Sequence, residues 1–186
     1  DVINYLIISA DGGYHNCKKI GISPEIVIGD MDSIDNREKN IKYISFEKEK
    51  DESDTQLALE YAVNNQFRKI VIIGAIGDRV DHSLANIYLL ASPFLENTDI
   101  CILNHNSEIR IIKKSSIIQG HISQLISLFS LSPYTYFINT DGLKYPLNEE
   151  KLLFSPVRGL SNELIKSKAT INIKEGCLAI IKIFKS

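Results

Sequence analysis

Apolar positions along the chain follow two different rhythms. Up to about residue 105, short apolar runs alternate with segments of helical period. Tyr5-Leu6-Ile7-Ile8-Ser9-Ala10 and Ile26-Val27-Ile28 predict buried strands, the first ending in Asp11-Gly12-Gly13 and the second in Gly29-Asp30. Leu57, Ala58, Leu59 and Ala62 give an apolar side to a helix from about Ser53 to Asn64. Ile70-Val71-Ile72-Ile73 predicts a third strand, ending at Gly74. A second helix is expected from about His82 to Leu90, and Ile100-Cys101-Ile102-Leu103 predicts a fourth strand. This alternation predicts an α/β domain with a mostly parallel sheet flanked by helices.

Beyond that point helical periodicity fades. Glu108–Ile112, Leu125–Phe129, Tyr134–Ile138, Ala169–Ile173 and Cys177–Ile183 read as short strands, punctuated by Gly120, Asp141-Gly142, Gly159 and Glu175-Gly176. Short strands at near-regular spacing predict an all-β sandwich or barrel. The expected boundary lies near Asn104–Ser107, giving an α/β domain over 1–105 and a β-sandwich over 106–186.

Composition narrows the classes. Apolar residues make up 44% and charged residues 24% of 186 positions, enough for a real core. With 21 basic and 23 acidic side chains the formal charge is −2, so no basic surplus exists to neutralise a phosphate backbone, and nucleic acid is not the expected partner. Cys17, Cys101 and Cys177 are odd in number and far apart, which suggests reduced thiols rather than a disulfide framework or a zinc site. Apolar runs fall far short of the roughly 20 residues of a membrane span. No signal peptide pattern opens the chain. The chain starts at Asp1 without methionine and moves almost at once into a strand, so a preceding N-terminal piece is expected.

In an open α/β sheet, ligands bind beyond the carboxyl ends of the strands. Three expected strands end there in glycine and aspartate: Asp11-Gly12-Gly13, Gly29-Asp30-Met31-Asp32-Ser33, and Gly74 through His82. Glycine allows close backbone approach to a ligand. Rim carboxylates suit Mg²⁺, which usually joins one or two carboxylates to substrate phosphates. Asp30 and Asp32, two apart in an irregular turn, can face one ion; a turn leading into a helix cap explains them equally. Asp51 and Asp54 stand at a helix start, where capping is the plainer account. Glu47-Lys48-Glu49-Lys50 reads as a solvated charge run from which Lys50 can reach a phosphate.

The Gly74–His82 turn offers backbone N–H groups and a helix start to an anion, and Arg79 adds a planar fork suited to phosphate. It is not a Walker A loop, because no G-K-[ST] follows. The bland alternatives are that Asp81 caps the helix and that His82 and Asn86, one turn apart, satisfy each other. No G-x-S-x-G elbow exists, and no thiol has an evident base beside it. His105 and His121 read as surface residues.

Taken in order, five segments resemble the hallmarks of the thiamine pyrophosphokinase family. They are Ala10-Asp11-Gly12-Gly13, Gly29-Asp30-Met31-Asp32-Ser33-Ile34, Lys50-Asp51-Glu52-Ser53-Asp54, Gly74-Ala75-Ile76-Gly77-Asp78-Arg79-Val80-Asp81-His82, and Gly159-Leu160-Ser161-Asn162-Glu163. Gly142-Leu143-Lys144-Tyr145-Pro146-Leu147 matches a further family pattern. Each is weak alone; five in order from residue 10 to residue 163 are specific.

The resemblance implies an ATP-binding catalytic domain followed by a thiamine-binding and dimerisation domain. ATP would give its pyrophosphoryl group to the hydroxyethyl oxygen of thiamine, yielding thiamine diphosphate and AMP in a cytoplasmic homodimer. Asp30, Asp32, Asp51 and Asp54 would organise Mg²⁺ and the triphosphate, with Asp11 and Asp81 nearby. Gly74, Gly77, Arg79, His82 and Asn86 would bind nucleotide, and Ser161 and Asn162 would approach thiamine. Asp54 and Asp32 are both open as the base. Asp78 departs from the pattern, standing where many relatives have glycine, and without any Trp a stacking partner for thiamine must be Tyr or Phe. Two other readings compete. A Mg²⁺-dependent hydrolase or kinase acting on another alcohol would release ADP instead of AMP. A non-catalytic nucleotide- or thiamine-binding protein would bind without turnover.

Overall fold

Ile26–Gly29 are buried at all four positions, as expected of a strand covered on both faces. In the computed structural model, which describes residues 5–32, 34 and 37–184, this strand (β2) lies between β1 (Ile8–Ala10) and β3 (Lys42–Ser45), all parallel. Side chains leave a strand on alternate faces. Ile26 and Ile28 therefore pack with Leu57, Ala58 and Tyr61 of α2 (Asp54–Asn64). Val27 packs oppositely, with Tyr14 of α1 (Gly13–Lys19) and with Met31, Ile34 and Ile41. Ser53, not an aspartate, caps α2: its Oγ accepts the Gln56 N–H at 3.2 Å. The first strand is shorter than its apolar run, since Tyr5 is 73% exposed and pairing starts only at Ile8.

This first compact unit ends at Arg68, and a second begins at Lys69. The second opens with β4 (Lys69–Ile73), α3 (Val80–Leu89), a 3-10 turn (Pro93–Leu95) and β5 (Asp99–Asn104). Eight further strands follow: β6 (Ser107–Ile112), β7 (Ser116–Gln119), β8 (Leu125–Ser130), β9 (Tyr134–Asp141), β10 (Glu150–Leu153), β11 (Asn162–Glu163), β12 (Lys168–Glu175) and β13 (Leu178–Ile183). They build a six-stranded sheet, β11-β8-β13-β6-β5-β4, and a four-stranded sheet, β10-β9-β12-β7. Leu128, Ile126, Leu178 and Ile180 of the larger sheet share one buried cluster with Phe137, Leu152, Ala169 and Ile171 of the smaller.

The fold is α/β, with few helices and several sheets. One expectation changes: β4 and β5 are parallel to each other but do not extend the β1–β3 sheet. They join the later strands because β5 and β6 form a tight antiparallel hairpin, pairing Asn104 with Ser107. The Asn104–Ser107 connection thus lies inside one sheet. Along α3 no residue is buried, and Val80, Leu84 and Tyr88 are exposed.

Candidate functional site

Met31 decides how the first acidic pair is presented. It adopts a left-handed φ of 64° and buries its side chain in the cluster with Tyr14 and Val27. Its neighbours are left at the surface: Asp30 is half-buried and Asp32 exposed. Asp30 Oδ1 accepts the Asp32 N–H at 2.9 Å, closing the turn on itself. Asp11 follows β1 at the same carboxyl edge, its N–H bonded to Ile28 O at 2.8 Å. Gly29 permits that approach, since a Cβ there would sit 3.0 Å from Asp11 Cβ. Phe46 N–H bonds Gly29 O at 3.0 Å, so the segment leaving β3 starts from this edge too.

Glu47, Lys48 and Glu49 of that segment are exposed, as expected of a solvated charge run, but both lysines are paired. Lys48 Nζ contacts Asp32 Oδ2 at 2.6 Å. Lys50 Nζ reaches Glu47 O at 3.1 Å and Asp54 Oδ1 at 3.0 Å. The Asp54 contact is an ion pair without hydrogen-bond alignment, and among the described residues the buried Oδ1 has no hydrogen-bond partner. Asp51 is exposed at the bend before α2. The motif residue Ser33 lies outside the described residues.

A clamp anchors the far side of the acidic turn. Tyr14 Oη donates to Glu38 Oε1 at 2.8 Å, Lys18 Nζ meets the same oxygen at 2.5 Å, and Glu38 N–H bonds Tyr43 Oη at 3.0 Å. The bonds from Lys18 and Tyr14 pull the Glu38 carboxyl below its usual range. The same carboxylate pushes the Tyr14 phenol up to about 12. Glu38 therefore stabilises the fold fully above its unfolded pKa of about 4.3, and that stability fades as pH falls through the lower folded value. Tyr14 imposes the opposite limit, its share holding below about pH 10 and disappearing as pH rises through its folded pKa. Thermal melts from pH 6 down to pH 3 should fall less steeply for Glu38→Gln than for wild type; equal slopes would remove the clamp from the acid response.

In the second unit, Gly74 follows β4 with a φ of 78°. Ser83, one turn into α3, fastens the loop. Its Oγ accepts from Gly77 N–H at 3.1 Å and lies 3.0 Å from Arg79 O. Asn86 Nδ2 donates to Ala75 O at 2.9 Å, so Asn86 holds the loop and does not pair with His82. Arg79 forks onto Asp81, Nε to Oδ1 at 2.9 Å and Nη2 to Oδ2 at 2.6 Å. This guanidinium holds the Asp81 carboxyl far below the usual carboxylate range. The N-cap residue Arg79 makes no side-chain capping bond, while the His82 N–H adds to the hold on the Asp81 carboxylate. An exposed pair of this kind contributes little to stability, so a polyphosphate can compete for Arg79. Asp78 and His82 are exposed on the same turn.

Also in this unit, a cavity of about 370 Å³ is lined by Leu128, Tyr145, Leu147, Leu152, Leu160 and Asn162, with Arg158 and Glu150 paired beside it. Asn162 is 5% exposed and fully engaged on its oxygen, which accepts from Tyr145 N–H at 3.0 Å and Glu163 N–H at 2.9 Å; its Nδ2 donates to Tyr145 O at 2.8 Å. It latches the Tyr145 turn to the cavity wall. Ser161 is exposed beside it, at a left-handed φ of 57°, with its N–H on Ser127 Oγ at 3.1 Å.

The acidic edge therefore sits in the first unit, while the Gly74–His82 loop and the cavity sit in the second. Sequence reasoning missed Ser83 and the pairing of Lys48. A serine one turn beyond Arg79, placed to bond back to it, was the available signal for the first. Nothing in the local pattern pointed to the second.

Two family models match in succession: thiamin pyrophosphokinase, catalytic domain, over residues 4–102, and thiamin pyrophosphokinase, vitamin B1 binding domain, over residues 108–178. The chain belongs to the thiamin pyrophosphokinase family. Among its relatives, a thiamine pyrophosphokinase of Bacillus subtilis (strain 168) is 31% identical over 185 residues, spanning 95% of this chain and 86% of the relative. A crystal structure of thiamine pyrophosphokinase from Bacillus subtilis superposes with a TM-score of 0.84 at 29% identity, covering 96% of this chain and 87% of the other. That of thiamin pyrophosphokinase from Geobacillus thermodenitrificans gives 0.87 at 25% identity, covering 100% and 89%.

Proposed function

We infer that this pyrophosphokinase transfers the β,γ-pyrophosphoryl group of ATP to the hydroxyethyl oxygen of thiamine, giving thiamine diphosphate and AMP. What carries the reading is the match of both family models, in order, to a chain whose strand ends bear the acidic and glycine segments. The oxygen–phosphorus bond forms at the β-phosphorus, the bond to the α,β-bridging oxygen breaks, and AMP leaves. The alcohol proton passes to whichever of Asp32 and Asp54 stays free of metal, since a metal-bound carboxylate is a poor base.

The donor set fits Mg²⁺ shared with phosphate. Asp30 and Asp32 are hard oxygen donors closed into one turn, and Asp54 Oδ1 is a buried oxygen lacking a hydrogen bond. Among the described residues no group of three or more His, Cys, Asp or Glu side chains is placed to hold a metal ion by itself, so waters and substrate phosphates would have to complete the shell. Asp30, Asp32, Asp51 and Asp54 would hold it, with Asp11 nearby. Bound, it supplies charge neutralisation to the triphosphate.

Positioning falls to the chain, as phosphoryl-type transfer requires. Gly74, Gly77, Arg79, Asp81, His82 and Asn86 form the nucleotide loop: Asn86 and Ser83 set its shape, and Arg79 exchanges Asp81 for phosphate. The volume of the cavity beside Ser161 and Asn162 lies within the range of small-ligand pockets, and its Tyr145 supplies an aromatic face in a chain without Trp. Residues 1–105 act as the ATP-binding catalytic domain, and 106–186 as a β-sandwich that binds thiamine and dimerises. Val157, Leu160 and Ile165, exposed around Ser161 and Asn162, suit burial against a second copy. Three free thiols accord with a cytoplasmic enzyme.

Incubation with ATP, Mg²⁺ and thiamine, followed by chromatography, tests the reaction. AMP and thiamine diphosphate should form in equal amounts. ADP in place of AMP would overturn the reading in favour of an ordinary kinase.

A further inference from the structure

The two lysines between β3 and α2 hold their aspartates in different ways. Lys50 is 14% exposed at its side chain and is held by two acceptors, Glu47 O and Asp54 Oδ1. It is a fixed part of the helix start. Lys48 is 75% exposed and rests on a single acceptor, Asp32 Oδ2, at 2.6 Å. The backbone of Asp32 is meanwhile held independently, by its N–H on Asp30 Oδ1 and by the burial of Met31. Losing Lys48 therefore removes a charge from the Asp32 carboxylate without releasing the turn that presents it.

The geometry points to Lys48 as a displaceable resident cation: its Nζ occupies Asp32 Oδ2, and a metal arriving at the acidic turn must evict it. The inference rests on the reading of Asp30 and Asp32 as metal-binding carboxylates. Its physical content is competition. An ammonium and a metal ion cannot share one carboxylate oxygen at contact distance, and their like charges repel when close. The ion pair is exposed, so its eviction is cheap. Lys48 would thus weaken metal binding to the nucleotide-free enzyme and spare the acidic edge from standing unneutralised between turnovers. Lys48 belongs to none of the motif segments that carry the resemblance.

The test is a titration of the full-length, nucleotide-free protein with Mn²⁺, read as loss of the free-ion EPR signal, in wild type, Lys48→Gln, Lys48→Arg and Asp32→Asn. Lys48→Gln should bind Mn²⁺ about two- to fivefold more tightly, the range an exposed ion pair allows. Lys48→Arg keeps the charge and should bind as wild type does. Unchanged or weaker binding in Lys48→Gln, with Asp32→Asn clearly weakened, would overturn the inference alone. If Asp32→Asn binds Mn²⁺ as well as wild type, the metal reading of that carboxylate falls as well. Circular dichroism of each variant confirms that the turn and its unit remain folded.

Discussion

Replacing Asp30 by asparagine is expected to lower kcat/KM for thiamine diphosphate formation about 10²–10³-fold, the loss typical when one preorganised electrostatic contact to the developing charge is removed. The substitution is chosen because it separates charge from shape. Asp30 Oδ1 accepts the Asp32 N–H at 2.9 Å, and an asparagine carbonyl oxygen accepts the same bond. Met31 remains the buried anchor. The turn should therefore survive, with the melting temperature within about 2 °C of wild type, as for substitutions away from a core. What disappears is one negative charge at the carboxyl edge of β2. Steady-state kinetics beside a thermal melt decide the matter: near-normal activity would remove Asp30 from the site, and a large drop in melting temperature would make it a structural residue.

Gly159→Ala should lower stability markedly. A Cβ at this position would lie 2.1 Å from Leu128 O and 3.1 Å from Leu128 Cβ. Backbone must move to relieve that contact, and Leu128 N–H is itself bonded to Gly159 O at 2.8 Å. Leu128 is 1% exposed in the core cluster, so strand β8 has little room to retreat. Forced overpacking of this sort costs about 1–3 kcal/mol. For a chain of this length that corresponds to a fall in melting temperature of about 3–10 °C. Gly159 also lines the cavity with Tyr145 and Asn162, so KM for thiamine should rise while the affinity for ATP changes little. Calorimetry and separate titrations of the two substrates would show this; equal losses for both would deny the cavity a specific role.

Much of this was legible in the chain itself, for reasons visible at single residues. The run Ile26-Val27-Ile28 announced a strand buried on both faces, and it is the centre of its sheet. Ser53 with Leu57 announced α2. Helix α1 escaped notice because it opens on Gly12-Gly13, poor helix formers, and runs for seven residues. Strand β3, Lys-Tyr-Ile-Ser, is short and has no fully buried residue. The transfer of β4 and β5 to the later sheet is a pairing choice, and periodicity describes single strands rather than their partners. The same limit applied to the candidate site. Its carboxylates and glycines stood in recognisable segments, but their partners did not: Lys48 meets Asp32 from 16 residues away, and Asn162 meets Tyr145 from 17. Such contacts exist only once the chain has turned back on itself.

The hairpin between β5 and β6 has a bearing on how this enzyme can be taken apart. The family models fall on either side of residues 103–107, which invites a cut there to exchange one half for that of a relative. Such a cut would sever a continuous ladder, leaving β5 and β6 each with a bare hydrogen-bonding edge and inviting aggregation. Among the described residues, a chimera joined between Arg68 and Lys69 interrupts no strand pairing. The interchangeable parts of this protein are therefore set by its sheets, and they do not coincide with the bounds of the two family models.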